Sequence, residues 1–410
     1  MIKEKTRKLV DFLGLKRSLA ALLLMVIFVG LGERMAERFL PIYILALVGI
    51  GSKGNWIIGL LNGTTNLLNA LYSFPGGYLS DKLGYKRALL FFNLIAMFGY
   101  LIVILFPYWQ AVIIGSIFFL SWTAISLPAS MSLVSANLPK NKRTMGVSMH
   151  SFIRKIPMAL GPIIGGILIH YYGERTGVRL AFCFAFLMGF ISIFIQQNFI
   201  QEDKEKKTPE KSPLTLFKYM DTNLRNLLVS DILIRFCEQI PYAFVVVWAM
   251  EMHHISSVQF GLLTAVEMVT SMLIYIPVAY LADKSSKKPY IVITFINFTL
   301  FPLVMIFSKT FGILVLAFIL RGLKEFGEPT RKALIMDLAP EGKKAGMFGL
   351  YYLIRDVLVS VAAFGGAWFW NIKPELNFLI AFIFGLLGTL YFQIFGKDLT
   401  RIGSVEHNTI

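Results

Sequence analysis

The chain has 410 residues, 56% of them hydrophobic and 14% aromatic, with a mean hydropathy of +0.66. Only 16% are charged, against about 25% in a soluble globular protein, and apolar runs of about 20 residues, enough to span a bilayer, recur along its whole length. This excludes an ordinary soluble enzyme and implies an all-α polytopic membrane protein, while the strict alternation of a β-barrel is absent. The net charge of +16 does not point to nucleic acid, because the basic residues gather in alternate loops between apolar segments.

The N-terminal "MIKEKTRKLVDFLGLKRS" is basic, and the apolar run after it is too long and lacks a small-residue cleavage site. It reads as an uncleaved first helix. Twelve spanning helices are predicted, over 18–49, 55–80, 86–107, 109–137, 142–172, 178–200, 223–252, 257–283, 288–307, 311–338, 342–370 and 374–396. Lys and Arg mark one set of helix ends, including Lys3, Lys86, Lys140, Lys204, Lys287, Lys343 and Lys397. By the positive-inside rule both termini are cytoplasmic. The polar stretch 201–222, rich in mixed charge, is expected to be a flexible cytoplasmic linker between a six-helix half at 1–200 and another at 223–410. Cys183 and Cys237 lie in apolar segments and read as packing residues, and no spaced cysteine or histidine set suggests a metal.

The halves repeat each other. Pro75, Tyr78, Leu79, Asp81 and Lys82 recur 202 residues later as Pro277, Tyr280, Leu281, Asp283 and Lys284. At an offset of 201, Pro128, Arg154 and Gly165 match Pro329, Arg355 and Gly366, and Arg34-x-x-Glu37 matches Arg235-x-x-Glu238. Parallel six-helix repeats build a class of secondary transporters whose substrate site lies between the halves.

Ionisable residues inside spans cost at least ~2.5 kcal/mol each by insertion scales, so they face a cavity or one another. Glu33, Arg34, Glu37 and Arg38 occupy predicted helix 1, and at 100° per residue they share an arc of about 140°. Helix 5 carries Arg154 and Lys155, helix 7 Arg235 and Glu238, helix 8 Glu267, and helix 11 Arg355 and Asp356. Helix 10 carries Arg321, Lys324, Glu325, Glu328, Arg331 and Lys332 within about 120° of arc. Pairing along one helix, Arg34 with Glu37 or Arg235 with Glu238, accounts for single pairs, but packing alone needs far fewer buried charges. A desolvated carboxyl can take and release a proton, which makes Glu37, Glu238 and Glu325 coupling candidates, with Glu33, Glu267 and Asp356 behind them. Arginine offers a planar fork to an anionic group, so Arg34, Arg154, Arg235, Arg321 and Arg355 are candidate substrate ligands, and the surplus of bases favours a substrate with negative character.

"GGYLSDKLGYKR" resembles the loop 2–3 signature of the major facilitator superfamily, carried here by Gly77, Leu79, Asp81, Gly84, Lys86 and Arg87. The second copy keeps Leu281, Asp283 and Lys288 but loses both glycines. The resemblance covers almost the whole chain and implies twelve helices as two repeats around a central cavity, with Asp81, Lys86, Arg87 and Asp283 as gating residues. Gly161-Pro162-x-x-Gly165-Gly166 resembles in part the fifth-helix motif of antiporters in that family, and implies export. Ser116 stands where drug exporters of the family carry a helix 4 arginine, so that proton relay does not transfer. "ERF" at Glu37–Phe39 is similar to a first-helix pattern of proton-coupled peptide transporters. The sum is a monomeric, proton-driven transporter of small organic compounds in the plasma membrane, with no cofactor. An importing symporter and a transporter-like sensor are the alternatives.

Overall fold

A computed structural model describes residues 17–119, 126, 130, 143–201, 217–282, 286–340 and 344–397. The helices are α1 (Arg17–Glu37), α2 (Leu40–Val48), α3 (Ser52–Leu83), α4 (Tyr85–Leu105), α5 (Trp109–Phe119) and α6 (Arg143–Phe199). They continue with α7 (Thr222–Gln239), α8 (Phe244–Val247), a π-turn (Trp248–Met252), α9 (Ser257–Ala282) and α10 (Lys288–Phe307). The last are α11 (Phe311–Leu323), α12 (Glu328–Leu338), α13 (Lys344–Ile372) and α14 (Pro374–Phe395). Among the described residues there is no strand, and seven helices are long and apolar enough to cross a membrane.

Three predicted spans are not continuous. The first breaks at Arg38–Phe39, the seventh at Ile240–Ala243 and the tenth at Lys324–Gly327. Each break lies just before or around a proline, Pro41, Pro241 or Pro329, which lacks the N–H that the preceding turn needs and clashes with it. Carbonyls freed inside a membrane need other donors. At the seventh span, Asn62 Nδ2 donates to Gln239 O (3.2 Å) and Asn377 Nδ2 to Ile240 O (3.3 Å). At the tenth, Asn297 Nδ2 donates to Leu323 O (3.2 Å), and the Gly327 N–H donates to Thr294 Oγ1. The fourth predicted span is described over α5 and at residues 126 and 130, and most of the linker lies outside the described residues. The predicted fifth and sixth spans run together as α6, turning at Gly173, whose φ of +75° suits glycine.

The chain clusters into two compact units: Met1–Gly49, Leu68–Glu210 and Ser256–Gly261 form one, and Ile50–Leu67, Lys211–Ile255 and Leu262–Ile410 the other. In the first, α1 packs along α6 through small residues. A side chain at Gly161 would meet Arg34, one at Gly165 the Met35 carbonyl, and one at Gly32 the Ala185 backbone. In the second, α7 is surrounded by α10, α12, α13 and α14, with Leu227, Ile234, Phe295, Ile335, Leu350 and Phe392 as its apolar contact. The first turns of α3 belong to this unit: Gly59 lies against Ala367, and Asn55 donates to Asn371 (2.8 Å).

Candidate functional site

The second unit holds an acid–base array drawn from α7, α9, α11, the tenth-span break, α12 and α13. Pro329 and Gly327 break the tenth span, so Lys324 leaves the helical wheel while Glu328 and Arg331 restart it on α12. On α7, Asp231, Arg235 and Glu238 are spaced four and three residues apart and so share one face.

The array alternates in sign along its length. Asp356 accepts from Arg355 Nε (2.6 Å), and Arg355 Nη1 lies 3.3 Å from Asp231. Arg331 Nη1 pairs with Asp231, and its Nη2 with Glu328 (2.6 Å). Arg235 lies 3.4 Å from Glu328 and 2.6 Å from Glu238. Lys324 Nζ lies 2.7 Å from Glu238 and 3.5 Å from Glu267, and Arg321 Nε is 3.3 Å from Glu267. Five acids, Asp231, Glu238, Glu267, Glu328 and Asp356, thus alternate with five bases, Arg235, Arg321, Lys324, Arg331 and Arg355. Lys332 Nζ, 3.5 Å from Glu328, branches from the array at an exposed edge and gives the bases a majority of one.

Burial is deep. Asp231 is fully buried, Glu267 and Arg331 are 1% exposed and Arg321 is 3% exposed. Taking such charges out of water costs several kcal/mol per ion, offset only when each has a close counter-ion. Aromatic faces supply part of that offset: Phe298 lies beneath both Arg235 (5.3 Å) and Lys324 (5.7 Å). Tyr242 and Phe301 flank Arg321 at 5.4 and 5.1 Å, and Tyr352 lies 4.2 Å from Arg355. A small cleft opens beside the array, lined by Glu238, Arg321, Lys324, Asn297, Phe298 and Phe301.

The first-unit candidates form a smaller group. Arg34 donates to Glu37 across one turn, the counterpart of Arg235 and Glu238. Glu33 is buried beside them. The wheel that put Arg38 on the same face assumed an unbroken helix, and Arg38 falls in the break. Arg154 and Lys155 are half-buried on α6, seven and six residues before Gly161. Gly161 and Gly165 bring α6 onto α1 at Arg34 and Met35, Gly166 approaches the backbone of Ser257, and Gly261 that of Pro162. The motif therefore sets the closeness of helices around the Arg34 pair.

Arg355 grips carboxylates of its own unit, Asp231 and Asp356. Glu325 sits in the tenth-span break, its N–H donating to Gly322 O (3.2 Å). In the loop signature, Gly84 takes a φ of +80° and Lys86 donates to Gln197 O (3.0 Å). Arg87 is exposed, Gly77 and Asp81 fall within α3, and Asp283 lies outside the described residues. Asp231 was not among the sequence candidates. Its signal was the heptad it shares with Arg235 and Glu238. Cys237 is buried and donates to Phe298 O (3.3 Å), while Cys183 is exposed, and both are free thiols. Among the described residues no metal-binding cluster occurs.

Comparison with known proteins places this arrangement. The Major Facilitator Superfamily profile matches residues 22–230 and 227–401. An uncharacterized MFS-type transporter of Methanocaldococcus jannaschii is 24% identical over 87% of this chain and 91% of its own. The multi-drug resistance efflux pump PmrA of Streptococcus pneumoniae is 30% identical over 51% of this chain and 52% of its own. The multidrug resistance protein MdtG of Salmonella schwarzengrund is 26% identical over 72% and 74%. Among solved structures, the nucleoside transporter NupG superposes with a TM-score of 0.76 at 13% identity, over 93% of this chain and all of that one. The human organic anion transporter MFSD10 gives 0.65 at 16% identity, over 92% and 98%. These likenesses show the fold. The chain, a multi-pass membrane protein of two six-helix repeats, belongs to the Major Facilitator Superfamily of secondary transporters.

Proposed function

We propose that the protein is a proton-coupled exporter of small organic compounds, working by alternating access in the plasma membrane with both termini in the cytoplasm. One observation carries the coupling: Glu238 is clamped between Arg235 (2.6 Å) and Lys324 (2.7 Å) in a buried array. A proton arriving there neutralises the acid that two buried cations share, and buried cations do not stay uncompensated. They must re-pair, and re-pairing moves the helices that carry them. The direction of transport rests on the multidrug names of two relatives and on the Gly161–Gly166 motif. No bound cofactor enters the scheme, and the proton gradient supplies the energy.

Inside-out vesicles with an acidic interior, offered a panel of labelled organic anions and cations, test this reading. At least one compound accumulates, and accumulation collapses when the gradient is discharged. Glu238→Gln abolishes gradient-driven accumulation while leaving exchange of unlabelled for labelled compound. Accumulation only in right-side-out vesicles would overturn export and leave proton symport into the cell.

A further inference from the structure

Arg235 faces three carboxylates at graded distances. Its Nη1 is 2.6 Å from Glu238, its Nη2 is 3.4 Å from Glu328, and its Nε is 3.9 Å from Asp231. It is thus bound to one acid and within reach of two more, one turn earlier on α7 and at the start of α12. Both are already engaged by Arg331, which donates to Glu328 through Nη2 and to Asp231 through Nη1. Asp231 accepts three hydrogen bonds, from Arg331 on Oδ1 and from Tyr351 (3.1 Å) and Arg355 (3.3 Å) on Oδ2, with Arg235 Nε 3.9 Å from Oδ1.

We infer that Arg235 is an exchange point and Asp231 a positioning residue, through which a proton arriving at Glu238 is felt on α12 and α13. The inference rests on the proton-coupled reading of Glu238. When Glu238 becomes neutral, Arg235 keeps its charge and closes the short remaining distance onto Glu328 and Asp231. It then competes with Arg331 and Arg355 for the same oxygens. The re-pairing travels from the break in the seventh span to α12 and α13 without any residue crossing open space. No bond is made or broken beyond the one proton. The charged and titratable groups facing Glu238 are Arg235 and Cys237 on α7 and Lys324 in the tenth-span break, with Glu267 on α9 and Arg321 on α11 behind Lys324. Those facing Asp231 are Arg235, Arg331, Tyr351 and Arg355, with Glu328 and Tyr352 one contact away.

Infrared difference spectroscopy on the full chain in lipid nanodiscs tests this without a transported compound. The probe is the proton itself, read from the protonated-carboxyl band that Glu238→Gln removes. Neutralising Asp231 or Glu328 hands Arg235 wholly to Glu238, so in Asp231→Asn and Glu328→Gln the pH midpoint of that band moves toward acid by about one unit. Arg235→Gln moves it the other way. Asp337→Asn, which breaks the Lys287–Asp337 pair elsewhere in the same unit, leaves it in place. A band present but unmoved in both Asp231→Asn and Glu328→Gln overturns the exchange role alone. A titrating band that survives in Glu238→Gln overturns the proton site, and the exchange role with it.

Discussion

The two copies of the repeat start from one sequence device and end in different chemistry. In the first unit, Arg34 and Glu37 pair across one turn of α1, with Glu33 buried close by. In the second, the matching Arg235 and Glu238 are two members of a ten-residue acid–base array that reaches α9, α12 and α13. The extension comes from residues that have no charged match at the repeat offset: Asp231, Arg321, Lys324, Glu328 and Arg331 stand where the first half has Gly30, Leu120, Thr123, Leu127 and Ser130, and Glu267, in the region offset by 202, stands where it has Thr65. In the second unit the shared pair is one part of a larger chain of contacts on neighbouring helices. An acid inside such a network has several counter-ions to lose at once, so its removal costs more than removal of an acid at the edge.

The largest expected effect tests that statement directly. Asp231→Ala takes from Arg331 and Arg355 one of the two carboxylates that each holds in a buried site, and costs about 3–5 kcal/mol, read as a lowered melting point by tryptophan fluorescence in detergent. Glu37→Ala, whose side chain keeps 17% exposure, costs well under half of that. Equal losses would erase the distinction between the units. A double-mutant cycle on Arg235 and Glu328 sharpens the comparison next, with a coupling of about 0.5–3 kcal/mol expected for groups in one network. A coupling of zero would make their 3.4 Å approach incidental.

Where the copies are alike, they should respond alike. Gly165 leaves no room for a side chain against the Met35 carbonyl, nor does its match Gly366 against that of Ile240. Valine at either position is therefore expected to cost about 1–3 kcal/mol, to a similar degree in the same melting assay. The smallest effect lies outside both networks. Burial, with Lys309 and His254 nearby, lowers the pKa of His253, which follows the π-turn and packs on Trp248. A histidine with a lowered folded value gives stability that is present above its unfolded pKa and is lost as pH falls below about 6.5. In His253→Asn that acid-side loss of melting temperature disappears.

Much of this was legible in the sequence. Hydropathy located the spans and the offset of 201 located the repeat, because length and apolarity are sufficient to place a helix in a bilayer. The Arg34–Glu37 and Arg235–Glu238 pairs were also legible, since residues three apart on a helix face each other whatever surrounds them. The breaks at Arg38–Phe39, Ile240–Ala243 and Lys324–Gly327 were written in Pro41, Pro241, Pro329 and Gly327, but hydropathy does not register the missing N–H of a proline. The wheel drawn through Arg38 therefore failed where its helix stops, while Arg321, Lys324, Glu328 and Arg331 still meet in one array across the tenth-span break.

The sequence by itself determined a helical membrane protein of duplicated halves, with charges concentrated on particular spans. Only the tertiary structure decided which charges meet. Asp231, Glu238, Glu267, Glu328 and Asp356 are spread over four spans and 126 residues, and their order of contact depends on how α7, α9, α12 and α13 pack and on the turn that carries Lys324 between them. Coulomb attraction between buried groups acts over a few ångströms in space and is indifferent to distance along the chain.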